Sequence, residues 1–206
     1  MNILAIDTAG EPLSLALLSG GKVYRFHKVL AKPHDETLIK RVDALLKRAG
    51  LRIDELDAFA AASGPGRFTG IRIGMAFAAV AAGALKKRAL AVSRLEAAAT
   101  RANGALIAVV VPGWRDEKFC QLFARGPKGL APAEPPVWVD AAGWPGVRAA
   151  LRDRGAELLE ADPTAEDLAA AAAAIIASGR KPAFEPLYLK PAGYEAKAKR
   201  QAGAAR

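Results

Sequence analysis

Apolar residues recur along this chain in two rhythms, and the change from one to the other divides it into elements. Residues 3–6, Ile-Leu-Ala-Ile, form a short apolar run that ends in Asp7-Thr8, as a buried strand does. Gly10 and Pro12 mark a turn. Leu13, Leu15 and Leu17 then alternate with Ser14 and Ala16, Ser19-Gly20-Gly21-Lys22 reads as a hairpin turn, and residues 23–30 alternate again. The opening is therefore a three-stranded antiparallel meander. After Pro33 the period lengthens: Leu38, Val42, Leu45, Leu46 and Ala49 share one helical face, opposite Lys40, Arg41, Lys47 and Arg48. Asp35 and Glu36 sit in its first turn, where negative charge suits the helix dipole, and Gly50 closes it.

An apolar strand at residues 58–62 leads into Ser63-Gly64-Pro65-Gly66-Arg67-Phe68-Thr69-Gly70-Ile71-Arg72-Ile73-Gly74, followed by an alanine-rich helix that ends near Lys86. Glycines around a proline allow a tight turn and close backbone approach, and Thr69 is placed to cap the helix. Free N–H groups at such a helix start attract anions, so the turn reads either as a phosphate loop or as a structural corner. The established nucleotide motifs do not fit: Gly70 is followed by Ile71-Arg72 where a P-loop needs Lys-Ser or Lys-Thr, and a dinucleotide fingerprint wants glycine where Thr69 stands. A strand at 90–92 follows, and Ser93-Arg94-Leu95-Glu96 has the form of a capping box opening a helix to about Arg101.

Residues 1–103 thus read β-β-β-α-β-α-β-α, the order of an RNase H-like lobe. Beyond Asn103-Gly104 the pattern starts again more weakly, with strands at 106–111, 119–123 and 137–139 and helices at 144–154 and 164–178. The expected architecture is α/β and two-lobed, of the actin, Hsp70 and sugar-kinase (ASKHA) kind. Its N-terminal lobe spans 1–103 and a reduced C-terminal lobe spans 104–206. The loop from Asp7 to Pro12 would be its first phosphate hairpin, making Asp7 and Thr8 candidate nucleotide or anion groups, although an aspartate ending a strand is equally a structural cap.

Composition narrows this further. The 206 residues suffice for a core, and the single cysteine, Cys120, excludes an internal disulfide framework. Cys120 falls in an alternating strand, the place of a buried structural thiol. The start has no basic signal-peptide region, and the most apolar stretch, residues 73–85, reads as too short to span a membrane; the expected location is cytoplasmic, away from membranes. The net charge of +9 suits a polyanionic partner such as RNA. The basic residues are spread out, apart from a tail at 190–206, so charge alone leaves RNA contact and plain solubility equally open. His27 and His34 stand seven residues apart on a strand and a loop, with no third ligand nearby, so no metal site is expected.

Ile6-Asp7-Thr8, together with Gly64, Pro65, Gly66, Phe68, Thr69, Gly70 and Arg72 in the glycine turn, strongly resembles the TsaB (YeaZ) family, whose core reads GPGSFTGxRIG; Arg67 replaces the serine. The resemblance covers roughly residues 1–100, including Lys32-Pro33-His34-Asp35. It implies a non-catalytic scaffold, paralogous to TsaD, that activates TsaD in forming threonylcarbamoyladenosine at position 37 of ANN-decoding tRNAs. It further implies TsaE and tRNA as partners, a second copy in place of TsaD when TsaD is absent, no cofactor of its own, and ATP or ADP only at the complex interface. The older glycoprotease label does not fit a chain whose one cysteine lacks a histidine partner.

The family's lobes pair through their first two helices. Gly70, Gly74, Ala78 and Ala82 recur every four residues as a smooth stripe on the second helix, so they, with Leu38, Val42 and Leu45 on the first, are the expected partner-binding residues. The alternative is that the stripe packs on the protein's own sheet. Arg67 puts a cation at the turn and keeps an anion role open. In the second half the family's Asp-Ala-Arg-Arg becomes Pro112-Gly113-Trp114-Arg115, without its leading aspartate, while Pro186-Leu187-Tyr188-Leu189-Lys190 resembles the family's closing segment. The rival reading is an ATPase or small-molecule kinase of the same fold, which would need acidic groups in both lobes.

Overall fold

The computed structural model describes residues 1–30, 34–127 and 129–190. Lys32, Pro33 and the basic tail beyond Lys190 lie outside the described residues. The first half runs β1 (Ile3–Asp7), β2 (Leu13–Ser19), β3 (Lys22–Lys28), α1 (His34–Ala49), β4 (Ala58–Gly64), α2 (Phe68–Leu85), β5 (Arg88–Ser93) and α3 (Arg94–Ala99). Its strands form one sheet in the order β3-β2-β1-β4-β5. The meander pairs antiparallel, with Asp7 opposite Ser14, and β1, β4 and β5 run parallel.

The second half comprises β6 (Leu106–Pro112), β7 (Lys118–Gly126), β8 (Gly129–Pro132), β9 (Val137–Val139), α4 (Trp144–Asp153), β10 (Glu157–Glu160) and α5 (Ala165–Ala177). Its sheet has the order β10-β6-β7-β8, with β9 also paired to β7. The pattern matches the first sheet: a leading strand pairs antiparallel with the next strand and parallel with the strand that follows a helix. The sequence pattern left out β8 and β10. Both are only four residues long, too short for alternation to register.

Successive residues of a strand face opposite sides of the sheet. Ile6 faces Gly74 of α2, whereas Ser14, beside Asp7, accepts a hydrogen bond from the backbone N–H of Ala165 at the start of α5. So α1 and α2 cover one face of the first sheet and α5 covers the other. Leu168, Ala171, Ala172 and Ile175 of α5 lie in the same core cluster as Ile3, Leu15 and Phe59. The break at residue 104 therefore separates two sheets, whereas the first core draws on both halves of the chain. α3, from the first half, packs Leu95, Ala98 and Ala99 against Val109, Val111 and Phe123 of the second sheet.

Two helix starts differ from expectation. α2 begins at Phe68, with Arg67 as its capping residue and no side-chain cap, so Thr69 lies exposed inside the first turn. The reason is the backbone N–H of Arg67, which donates to the Ala9 carbonyl at 2.8 Å and fixes the chain direction two residues early. With its full 18 residues α2 is, by length and composition, apolar enough to cross a membrane, which the shorter run 73–85 did not indicate. At α3, Ser93 caps the Leu95 N–H at 3.1 Å, but Glu96 pairs with Arg180 and the helix ends at Ala99. α5 has a complete capping box, in which Asp167 accepts from both the N–H and the hydroxyl of Thr164.

Candidate functional site: the joint at the strand ends

The ends of β1, β4 and β10 meet in a buried polar joint. Asp7 uses one carboxylate oxygen to accept the Ala9 N–H at 2.9 Å and the Gly10 N–H at 3.4 Å, closing the loop after β1. Its other oxygen accepts from Arg94 Nε at 2.9 Å. The same guanidinium donates to the Pro65 carbonyl at 3.2 Å and pairs with Asp162, in the loop between β10 and α5. Asp7 and Arg94 are both buried. Burial opposes charge on Arg94, but the two carboxylates outweigh it and the guanidinium pKa stays above its ordinary value. A buried cation held by three separate loops fixes the two sheets against each other.

This arrangement decides what Asp7 and Thr8 do. The Asp7 carboxylate is already satisfied, and its counter-charge is a tethered arginine. Thr8 donates its hydroxyl to the Gly70 carbonyl at 2.6 Å. As candidate nucleotide groups both are corrected: their hydrogen-bonding capacity serves the fold. Arg67 remains exposed, as expected of a cation at the turn, and has no ion pair among the described residues. His34 donates from Nε2 to the Glu11 carbonyl at 3.1 Å, in the tautomer that leaves Nδ1 to accept from Arg67 at 3.5 Å.

The small-residue stripe is corrected as well. Gly70, Gly74, Ala78 and Ala82 are buried against the protein's own sheet. A Cβ on Gly70 would overlap the Thr8 carbonyl oxygen, and one on Gly74 would lie 2.6 Å from the Thr8 hydroxyl oxygen. The glycines let α2 settle onto the end of β1, which leaves no room for a partner helix. Leu38, Val42 and Leu45 on α1 are buried in the same core. What α2 turns outward is its other side: Ala76, Ala79, Gly83 and Ala84 are exposed, Val80 is 72% exposed, and Ile73 and Phe77 are half-buried. On α1, Ile39 is 68% exposed.

Pro112 ends β6 as Asp7 ends β1, so the second sheet presents no carboxylate at that strand end. Among the described residues no three His, Cys, Asp or Glu side chains gather as metal ligands. Cys120 is buried in β7 and its thiol is pushed up to about 11 by burial, with the charge of Glu134 adding to it. Such a thiol is a poor nucleophile at neutral pH.

The motifs passed over Arg94 and Asp162. A signal for Arg94 was present, since a cation in the first turn of a helix opposes the helix dipole and needs a reason to be there. Tyr188 was noted only as part of a closing segment. In the structure it reaches α2, where it accepts from Arg72 Nε at 3.1 Å and stacks on Phe68 with ring centroids 4.8 Å apart.

Comparison with known proteins agrees with these landmarks. Residues 28–128 match the family model described as TsaD, tRNA N6-adenosine threonylcarbamoyltransferase. The chain is 29% identical over 221 aligned positions to the tRNA threonylcarbamoyladenosine biosynthesis protein TsaB of Escherichia coli, covering 92% of this chain and 95% of that protein. Against the protein of the same name from Haemophilus influenzae it is 35% identical over 78 residues, which span 38% of this chain and 33% of the relative. The solved structure of YeaZ from Pseudomonas aeruginosa superimposes with a TM-score of 0.72 at 28% identity, covering 91% of this chain and 99% of that one. The glycine turn, the fold and a relative matched along nearly its whole length agree: this chain is similar to the TsaB (YeaZ) proteins from end to end and to the TsaD family over residues 28–128.

Proposed function

We propose that this protein is a non-catalytic subunit that activates TsaD in forming threonylcarbamoyladenosine at position 37 of ANN-decoding tRNAs. The observation that carries the reading is the similarity, over 92% of this chain, to a protein named for biosynthesis of that modified nucleoside. The joint supports the non-catalytic part, because Asp7 is paired with Arg94 and Pro112 stands at the matching strand end of the other sheet. The strand order β3-β2-β1-β4-β5 supports the RNase H-like, ASKHA-type description of the first lobe.

TsaD docks on the outward apolar side of α2 around Val80, together with α1, and a second copy of this chain takes that place when TsaD is absent. TsaE and tRNA join the same complex in the cytoplasm. ATP or ADP enters only at the complex interface, and the chain holds no cofactor of its own. Reconstituting tRNA modification from TsaD, TsaE, the threonylcarbamoyl donor and tRNA, with and without this chain, tests the reading. Modification that depends on the chain is the expected result. Full activity in its absence, or ATP turnover by the isolated chain, would overturn it, the latter in favour of a kinase or ATPase.

A further inference from the structure

One end of the molecule carries two exposed aromatic groups, each beneath a guanidinium. In the first, Phe68 and Tyr188 stack on each other while 51% and 42% exposed, and the Arg72 guanidinium lies 3.8 Å from the Phe68 ring centroid. Arg72 has no carboxylate partner among the described residues, so its charge faces solvent. In the second, Trp114 is 72% exposed at the tip of the β6–β7 turn, with the Arg115 guanidinium 5.9 Å from its ring. Arg115 and Asp116 both have positive φ, at 53° and 63°. Two consecutive non-glycine residues in the left-handed region are strained, and such strain clusters at active sites, ligand clamps and switch regions.

The C-terminal segment brings the two groups together. Leu187 N–H donates to the Ser63 carbonyl at 2.7 Å, Tyr188 stacks on Phe68, and Lys190 pairs at 2.5 Å with Glu117, directly after the Trp114 turn. Tyr188 and Lys190 are two residues apart, and Lys190 meets Glu117 three residues after Trp114, so the segment ties both groups to the same side of the molecule. Lys197, Lys199, Arg200 and Arg206 follow in the sequence, against a single acidic residue, Glu195.

We propose that this rim, Phe68, Arg72 and Tyr188 on one side and Trp114 and Arg115 on the other, binds an unpaired stretch of RNA. Every base has a π-face, so aromatic rings receive bases in sequence-tolerant stacks while guanidiniums and lysines meet the phosphates. Duplex RNA offers no exposed base faces and fits the rim poorly. The inference rests on the proposed tRNA role for the choice of RNA over other polyanions.

The test is fluorescence anisotropy of a labelled, unstructured RNA of about a dozen nucleotides titrated with the full chain. Trp114→Ala and Tyr188→Ala should each weaken binding by about fivefold or more, the lower range of a lost base stack. Arg72→Gln should weaken it and lessen its salt dependence. Lys22→Gln, the same charge change in the β2–β3 turn at the opposite end of the sheet, should change it less than about twofold. The Trp114 variant changes an exposed tip, so it reads binding even where a Tyr188 variant alters packing. Undiminished binding by Trp114→Ala and Tyr188→Ala, equal affinity for duplex, or aromatic-dependent binding to anionic vesicles without RNA binding would each overturn the inference. Val80→Arg separates it from the partner reading, because it should abolish TsaD capture and leave the anisotropy titration unchanged.

Discussion

The two loops that lead from a strand into a long helix, β4–α2 and β10–α5, hold matching positions in their sheets but solve the helix start differently. In β10–α5 the chain uses side chains: Thr164 and Asp167 cap α5 reciprocally, and Arg101 holds Asp167 from α3's end at 2.7 Å. In β4–α2 it uses the absence of side chains, since Gly70 and Gly74 let α2 lie directly on Thr8. The capped loop meets its neighbours through polar side chains, Ser14 on the Ala165 N–H and Arg101 on Asp167. The glycine loop demands contact, and Gly70 and Gly74 are therefore the motif residues least free to serve a partner. A small-residue stripe marks close approach without saying to what.

Breaking the tie between the loops should have the largest effect. Arg94→Ala leaves the buried Asp7 carboxylate uncompensated, and urea unfolding should report a loss of about 3–5 kcal/mol, part of it recovered by adding Asp7→Asn. Wild-type stability in Arg94→Ala would mean that the joint is not a strut. Next, Gly74→Leu forces a side chain into the Thr8 hydroxyl and should cost about 1–3 kcal/mol or prevent folding, so its failure to capture TsaD would report misfolding.

The capped loop should respond to acid. Burial raises the pKa of Asp167, but its bonds to Arg101 and Thr164 outweigh this and hold the carboxyl below its ordinary 3.8. A depressed carboxylate contributes stability that is complete above the unfolded-state value and is lost as pH falls through the folded-state one. The urea midpoint should therefore drop below about pH 4, the ordinary carboxylate range, and Asp167→Asn should flatten that acid limb while costing about 0.5–2 kcal/mol at pH 7 for the weakened cap. An unchanged acid limb in Asp167→Asn would remove the cap from this account. The smallest effect on stability belongs to Val80→Arg, within about 0.5 kcal/mol because Val80 is exposed, with loss of TsaD co-purification as its readout.

Apolar runs placed β1 and β4, which are buried on both faces, alternation or helical spacing placed β2, β3 and α1, and caps and composition marked α2, α3 and α5. Periodicity could not distinguish which face of α2 meets the protein's own sheet. Gly70, Gly74, Ala78 and Ala82 form an equally smooth stripe whether the neighbour is β1 or another chain, and only the fold puts Thr8 beside Gly70 and Gly74. The joint was half legible. Asp7 stood out at the end of a strand, but Arg94 and Asp162 lie 87 and 68 residues from their partners, a separation that no local pattern spans. The rim was illegible for the same reason, since Tyr188 meets Arg72 across 116 residues.

The position of α5 on the first sheet has a consequence for how the chain is made. Synthesis delivers β1, β2 and β4 early, but the helix that covers their second face is residues 165–177, encoded in the last fifth of the sequence. Until then Ile3, Ala5 and Ala60 have no cover on that side, and a nascent chain stopped at the sheet boundary carries an open apolar surface. A chain cut short before α5 would leave that face of the first sheet open, so the core closes only when the last fifth of the sequence has been made.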